Sequence, residues 1–286
     1  QNNPNGLFSS TASKPTEFQL WIGGQMVSQL DSLFVQGVHN PLMRDTTAKA
    51  SMAATTSTLK SNHGGDHYMI PFFFGEDWTK SLPLVALQYH DVEIRIKCRD
   101  GYTPVGTPKV FGNYVYLDTE ERKFFTDKEH EILITQTQYQ PASSTDTEID
   151  LSYFNHPVKS LHLVSGNTTA GNDWDSEFTF DKTSLYINGV PLFEDTSNVY
   201  HHTVVPEMHC TDLPDDILED LPTFSWPFCL TMSKMQPTGT LNFSRIDNAK
   251  LTLTNPSGGN SLHRVYAVNY NILRVKNGMA GVAFGN

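Results

Sequence analysis

The sequence has few cysteines and no long apolar run. Its three cysteines, Cys98, Cys210 and Cys229, are odd in number, and none is spaced as CxxC. This pattern argues against a disulfide framework and a structural zinc site, and it favours a reducing compartment. The first 15 residues are polar and lack the apolar core of a signal peptide, and no apolar run reaches the length of a bilayer span. We therefore expect neither secretion nor a membrane-spanning segment.

Positive charge is also scarce. The chain has 20 Lys plus Arg residues against 31 Asp plus Glu residues, a formal net charge of -11, and no run of basic residues. Binding to a phosphate backbone depends on a cationic face that releases counterions. We therefore expect no direct contact with nucleic acid.

Catalytic and metal-binding patterns are missing as well. The chain contains no GxSxG, HExxH or P-loop sequence. Glu120 and Glu121 are adjacent carboxylates, but neighbours on a helix point in different directions and cannot flank one bond. Two groups of metal-ligand side chains lack zinc spacing and are interpreted as turn and loop residues: His63, Asp66 and His67, and His201, His202, His209, Cys210 and Asp212. The sequence thus predicts no enzyme, no metal site and no cofactor.

What the sequence does have is the composition of β-strands joined by turns, arranged in a repeat. Aromatic residues make up 11% of the chain and charged residues only 18%, which is unlike a helical bundle. Residues 68–97 and 222–254 each begin with an aromatic run and end in a strand of alternating apolar and polar residues. Each is preceded by a short apolar strand that enters a glycine turn, at 20–24 and 185–189. We interpret the chain as two copies of one β-rich domain.

The remaining pattern predicts further strands. They are expected at 17–27, closed by Gly23-Gly24, and at 71–74, 84–97, 111–117, 132–139, 159–164 and 264–275, with a hairpin turn at Asn188-Gly189. The segment 111–117 is apolar on both faces, which is typical of a central strand. Residues 28–67 are interpreted as an insert with one helix near 42–59, residues 166–177 as a polar loop, and residues 194–221 as irregular.

Residues 118–131 have the clearest helix-start chemistry in the chain. Asp118 or Thr119 can cap the first turn, and Glu120 and Glu121 lie where the helix dipole favours anions. The segment is therefore predicted to be a helical linker between the two copies.

Six motifs, in a fixed order, carry a resemblance to a known family. They are IPFFF (70–74), LPLVALQYHDV (82–92), YLDTEERKFF (116–125), FNHPVK (154–159), QPTGTLNFSRIDNAKLTL (236–253) and YAVNYNILRVKNGMAGVAFGN (266–286). On these motifs the chain resembles the major capsid proteins of nucleocytoplasmic large DNA viruses, most closely those that infect algae. The resemblance implies an all-β fold of two consecutive eight-stranded jelly rolls. The first would be incomplete at its N-terminus, because family members have further strands before the equivalent of Glu17.

The resemblance also implies a domain division and a function. Residues 1–117 would be the C-terminal part of the first jelly roll, 118–131 the linker and 132–286 the second jelly roll. The implied function is that of a structural major capsid protein, whose homotrimers form pseudo-hexagonal capsomers in the shell of a large icosahedral double-stranded DNA virus. The implied partners are neighbouring capsomers and minor capsid proteins beneath the shell, with only indirect membrane contact, in a virion assembled in the host cytoplasm.

One alternative function comes from another class of protein. Jelly rolls also occur as soluble carbohydrate-binding modules of the lectin or cupin-like type, and the fold alone does not choose between the two. A glycan array would separate them, because a lectin binds selected sugars saturably.

Residues within the motifs are predicted to have structural roles. The set consists of Pro71, Phe72, Phe73, Phe74, Asp118, Glu121, Arg122, Asn155, His156, Pro157, Asn242, Arg245, Asp247 and Asn248. The aromatic members are interpreted as core or interface residues, and the polar residues around Asn242 as groups that hold a strand entry by local hydrogen bonds. Of two glycosylation sequons, the one at Asn167 lies in a predicted loop tip and is the candidate for modification, whereas Asn242 belongs to a motif.

Overall fold

The computed structural model describes residues 15–43, 69–98, 109–166, 178–211, 223–258 and 262–285. Within these ranges the strands form three antiparallel sheets, of three, six and four strands. The predicted all-β class is therefore confirmed. Residues 15–98 are called the first half below, and residues 130–285 the second half.

The first sheet contains β1 (Glu17–Ile22), β2 (Gln25–Asp31) and β3 (Val92–Lys97), in the order β2-β1-β3. The predicted strand over 17–27 is in fact a hairpin. Its two-residue turn places Gly23 at φ +57° and Gly24 at φ +78°, in the left-handed region that glycine adopts without steric cost. Alternate residues of β1, including Phe18 and Leu20, are buried beneath this sheet.

Short helices replace the predicted insert after β2. α1 (Ser32–Phe34) follows β2 directly, and a π-helix continues over Val35–Met43. The insert predicted from residue 28 is therefore wrong for 28–43, because the second arm of the hairpin and these turns occupy that range. The helix predicted near 42–59 falls almost wholly outside the described residues.

The aromatic run at 71–74 is buried but is not a strand. Phe73 begins α2 (Phe73–Glu76), and 3-10 turns follow at Trp78–Lys80 and Leu84–Ala86. The Phe72 amide donates to the Ile70 carbonyl, and the Gly75 amide donates to the Phe72 carbonyl, so these groups bond locally and not to a neighbouring strand. The apolar character of the run was predicted correctly, and its backbone conformation was not.

The strand predicted at 111–117 is also absent from the structure. Residues 109–118 are irregular, and all but Leu117 are exposed. Apolar, strand-like composition specifies a strand only where a neighbouring strand accepts its backbone hydrogen bonds. In the described part of the chain, no strand pairs with this segment.

The second half begins after α3 (Thr119–Asp127). Its strands are β4 (His130–Ala142), β5 (Glu148–Asp150), β6 (Pro157–Gly166), β7 (Lys182–Ile187), β8 (Val190–Ser197), β9 (Thr223–Pro227), β10 (Leu241–Asn242), β11 (Ala249–Thr254), β12 (Leu262–Lys276) and β13 (Met279–Val282). Its helical turns are a π-helix at Tyr200–Val204, α4 (Val205–His209) and a 3-10 turn at Phe243–Arg245. The prediction that 194–221 is irregular is thus wrong up to residue 209. Residues 212–221 lie outside the described residues.

The second sheet is built around β12, the longest strand. β12 pairs with β4 along one edge and with β6 and β13 along the other, while β9 and β10 extend the sheet from β6. Both faces of β12 are buried: Val265 and Ala267 belong to one apolar core, whereas Tyr266 and Val268 belong to another. The second sheet therefore lies between the two cores, which explains why β12 has apolar residues on both of its faces.

The third sheet repeats the order of the first. Its strands follow the order β5-β11-β7-β8, with the Asn188-Gly189 turn joining β7 to β8. The hairpin β7-β8 with β11 beside β7 corresponds to the hairpin β1-β2 with β3 beside β1. The repeat seen in the sequence is thus a repeat of strand pairing.

Candidate functional site

Two sequence motifs that are about 85 residues apart meet at one corner of the second half. FNHPVK leads into β6 and NFSRIDNA leads into β11, and the short strand β10 pairs with the start of β6 through Leu241 and Val158. The His156 amide donates to Ser244 Oγ at 2.8 Å, and the Phe243 amide donates to the His156 carbonyl at 3.0 Å. His156 is buried and has φ +69°, so the corner holds an uncommon backbone conformation in place.

The polar residues of this corner divide into those that bond and those that face solvent. Asn242 Oδ1 accepts from the Ser244 amide at 3.1 Å and caps the 3-10 turn that precedes β11. The backbone amide of Asn155 donates to Gln138 Oε1 at 3.1 Å. Pro157 is the first residue of β6. The side chains of Arg245, Asp247 and Asn248 are exposed.

Asn188 is a contributor that the motif analysis did not single out. Its Oδ1 accepts from the backbone amides of Asp247 and Asn248, both at 3.1 Å, and its own amide donates to the Asn248 carbonyl at 2.7 Å. The β7-β8 turn is thereby tied to the entry of β11. The Asn-Gly pair was a signal for the turn, but nothing in the sequence indicated this second use of the side chain.

The helix cap lies at the junction of the two halves. Asp118 Oδ1 accepts from the Glu121 amide at 2.9 Å, and Glu121 Oε2 accepts from the Asp118 amide at 3.0 Å, which is a reciprocal capping box. Arg122 Nε donates to the Leu117 carbonyl at 3.0 Å. These bonds fix the direction in which the preceding segment enters α3.

The aromatic run contributes to the core of the first half. Pro71, Phe72 and Phe73 are buried, Phe74 is half-buried, and the rings of Phe73 and Phe74 meet edge to face at 5.3 Å. Of the two roles expected for these residues, core packing fits their burial.

An exposed apolar segment precedes α3. In residues 109–117, Phe111 is 83% exposed and Tyr116 is 89% exposed, and Val110, Tyr114 and Val115 are also exposed. Five large apolar side chains within seven residues are more than scattered surface residues, and such concentrations mark contact surfaces. This segment, named the exposed apolar segment below, is a candidate contact surface in the described chain.

Histidines and serines also meet, but inside the protein. His162 is fully buried, with Nε2 2.8 Å from Ser160 Oγ and Nδ1 2.9 Å from Ser225 Oγ. Burial, together with the nearby Lys159 charge, lowers the pKa of His162 to about 3. No substrate can reach these groups, so this is a hydrogen-bonded core cluster and not a hydrolytic site.

The histidines that could have bound metal have other partners. Nδ1 of His201, of His202 and of His209 each donates to a backbone carbonyl, those of Ser225, Thr223 and Cys229, at 2.9–3.0 Å. Across the described ranges, no three His, Cys, Asp or Glu side chains are grouped as metal ligands. His63, Asp66, His67, Asp212 and the sequon residue Asn167 lie outside the described residues. Within the same ranges, no helix is both long and apolar enough to cross a bilayer.

The fold defines the class of protein. The chain superposes on the PBCV-1 virus capsid with a TM-score of 0.74 at 23% identity, covering 99% of this chain and 86% of that one. The Faustovirus major capsid protein gives a TM-score of 0.59 at 12% identity, covering 96% of this chain and 73% of that one. The chain therefore has the double jelly-roll fold of viral capsid proteins.

The sequence comparisons place the chain within that class. A family model described as large eukaryotic DNA virus major capsid protein matches residues 121–281, and one described as major capsid protein N-terminus matches residues 15–118. The major capsid protein of Pyramimonas orientalis virus is 33% identical, over 86% of this chain and 67% of that protein. That of Paramecium bursaria Chlorella virus 1 is 28% identical, over 75% of this chain and 65% of that protein.

The chain belongs to the major capsid proteins of large eukaryotic DNA viruses. It spans about two thirds of the length of these two relatives. The resemblance inferred from the six motifs is confirmed, and the carbohydrate-binding alternative has no support among the relatives.

Proposed function

We propose that the chain acts as a shell subunit that associates as a homotrimer, each trimer forming one pseudo-hexagonal capsomer of an icosahedral virion. The observation that carries this proposal is the repeated strand order, β3-β1-β2 in the first half and β11-β7-β8 in the second. Two similar blocks in each chain give six blocks in a trimer, and six similar blocks fill a hexagonal lattice with threefold symmetry.

The domain division belongs to the same proposal. Residues 1–117 form the C-terminal part of the first jelly roll, 118–131 the helical linker and 132–286 the second jelly roll. The two family matches support it, because they meet between residues 118 and 121, at the start of α3.

The exposed apolar segment supports assembly with other chains. Its five large apolar side chains are exposed, and within the described residues no strand pairs with it. An apolar surface of this kind is typical of a contact with a partner protein. A neighbouring chain of the proposed capsomer covers this segment.

The proposal also covers the roles of the motif residues and the partners of the shell. The motif residues have structural roles, and the chain is not an enzyme. Neighbouring capsomers meet through polar surfaces. An acidic chain, of net charge -11, meets neither nucleic acid nor an anionic membrane directly. Minor capsid proteins beneath the shell therefore mediate any membrane contact, and assembly takes place in the host cytoplasm.

Size measurement of the purified protein tests the proposal. Light scattering coupled to gel filtration is expected to give three times the chain mass, and negative-stain images of the same peak are expected to have six-sided outlines. A monomer that persists at high protein concentration would argue against the proposal, as would a trimer without a six-sided outline.

A further inference from the structure

A buried charged cluster joins the two halves. Asp31, the last residue of β2, receives a bond from Arg264 Nη1 at 2.6 Å and bonds from the Tyr266 hydroxyl at 2.8 Å. Arg264 and Tyr266 lie on β12, more than 230 positions along the chain, and all three side chains are buried. These residues are named the Asp31 cluster.

Stability alone does not account for this cluster. Burying both charges of an ion pair costs solvation energy that the attraction between them often fails to recover, so apolar residues of similar volume serve as well or better. Here the cost is increased, because Arg264 Nε is buried without a hydrogen-bond partner. The Arg264 guanidinium lies 4.1 Å from the centre of the Tyr139 ring, which recovers part of that cost.

The hydrogen bonds of the Asp31 cluster are directional, and they restrict how the two halves are oriented against each other. The Phe34 amide donates to Asp31 Oδ1 at 2.7 Å, so a bond within the first half holds the carboxylate in place independently of the second half. Arg264 and Tyr266 then approach the same carboxylate from β12. The two donors from β12 both reach this carboxylate in a single arrangement of the two halves, whereas the apolar contact beside them, such as the Phe34 ring 5.3 Å from the Tyr266 ring, tolerates sliding.

Further polar contacts between the halves lie along β4, on β9 and at the β12-β13 hairpin. On β4, Gln136 Nε2 donates to the Val27 carbonyl at 2.5 Å, and Thr135 Oγ1 donates to Glu76 Oε1 at 3.0 Å. Elsewhere, Thr223 Oγ1 donates to the Gly37 carbonyl at 2.9 Å, the Tyr89 amide donates to the Gly278 carbonyl at 2.9 Å, and the Ala280 amide donates to His90 Nδ1 at 3.1 Å. Each has a single donor. The Asp31 cluster is distinguished from them by two donors from β12 on one acceptor and by its paired charges.

We infer that the Asp31 cluster fixes the orientation of the first half against the second sheet. It is an alignment device, and not a net source of stability. Through this alignment it sets the angle between the two jelly rolls of a chain, a consequence that rests on the proposed capsomer function.

Paired-label distance measurement tests the inference on the isolated chain. One spin label is placed on the exposed Cys98 of the first half and the other on Thr147→Cys of the second half, in a Cys210→Ser background, with Cys229 protected by burial. The test variant replaces the charged pair by apolar residues, Asp31→Leu with Arg264→Met. The control makes the same replacements in an exposed pair of the second sheet, Glu131→Leu with Arg274→Met.

We expect the test variant to unfold in urea at the same or a higher midpoint while its distance distribution broadens relative to the parent. The control should keep the narrow distribution. An equally narrow distribution in the folded test variant would overturn the inference. If that variant does not fold, Tyr266→Phe, which removes only the hydroxyl donor, is measured in its place and is held to the same criterion. Because these distances come from single chains, a failure of trimer formation would count against the proposed function and leave this inference standing.

Discussion

The α-carbon of Gly239 faces the carbonyl oxygen of Phe228 so closely that a β-carbon on Gly239 would lie 2.6 Å from that oxygen. Gly239 also has φ +147°, a backbone conformation that L side chains rarely adopt. The loop before β10 therefore requires glycine at this position for two independent reasons.

Gly239→Ala is expected to lower the free energy of unfolding by roughly 2–4 kcal/mol, because the obstacle is backbone and cannot rotate away. The matched control is Gly24→Ala. Gly24 also has positive φ, but no atom lies within 4 Å of its β-carbon position, so the cost there is about 1–2 kcal/mol. Urea unfolding followed by tryptophan fluorescence measures both. Equal losses in the two variants would show that the close approach to Phe228 has no energetic consequence.

Ser244→Ala tests the corner at which the two motifs meet. Removing Ser244 Oγ leaves the amide of the buried His156 without its acceptor, and a loss of about 1–2 kcal/mol in unfolding free energy is expected. Ser143→Ala is the control, because Ser143 lies on an exposed turn, and its loss should stay within about 0.5 kcal/mol. If Ser244→Ala is as mild as the control, the corner is not held by this bond.

The buried histidine predicts a loss of stability in acid. The pKa of His162 is about 3 in the folded chain, below its unfolded value of 6.5, so between these two values the unfolded chain binds a proton that the folded chain does not. The stabilising effect of keeping His162 neutral is therefore complete above pH 6.5 and is lost as the pH falls towards 3. The expected slope for one such group is about 1.4 kcal/mol per pH unit.

His162→Asn provides the comparison for this slope. Below pH 6 the unfolding free energy of this variant should fall less steeply with pH than that of the parent chain, by the slope of about 1.4 kcal/mol per pH unit that one proton gives. Above pH 7.5 the two curves should run parallel. Unfolding in urea at a series of pH values measures the difference. Curves that stay parallel down to pH 4 would contradict the assignment of His162 as a neutral core residue.

The exposed apolar segment predicts a difference between the monomer and the proposed trimer. In the monomer the amides of residues 109–117 should exchange rapidly with deuterium, because these residues are irregular and almost all are exposed. In the trimer the same amides should be protected, because a neighbouring chain is proposed to cover the segment. The amides of β11 serve as the control, because they are paired on both sides by β5 and β7 and should be protected in both samples. Rapid exchange of 109–117 in both would contradict the proposed contact.

Much of the second half could be predicted because its signals are local. Alternation located β11 and most of β4, β6 and β12, and the Asn188-Gly189 pair located a turn with both residues at positive φ. At 118–121 the spacing of side chains along one turn is enough to predict a cap, and Asp118 is that cap. Such features depend on contacts within a few residues, which the sequence states directly.

The errors have a common origin in missing or distant partners. The run at 71–74 and the segment at 111–117 both have strand-like composition, but a strand needs a neighbour for its backbone groups. The first forms local turns in the core, and the second has no paired strand within the described residues. Composition gave the apolar character of both and could not supply the partner.

The sequence by itself determined the β-class, the repeated order of strands and turns, and membership of the capsid family, because each is encoded in local patterns and ordered motifs. Only the tertiary structure decided that the second sheet lies between two cores and that Asp31 meets Arg264 and Tyr266 across the two halves. The contacts of Asp31 join residues more than 200 positions apart. Which distant side chains meet depends on how whole sheets pack, and local sequence patterns do not specify that packing.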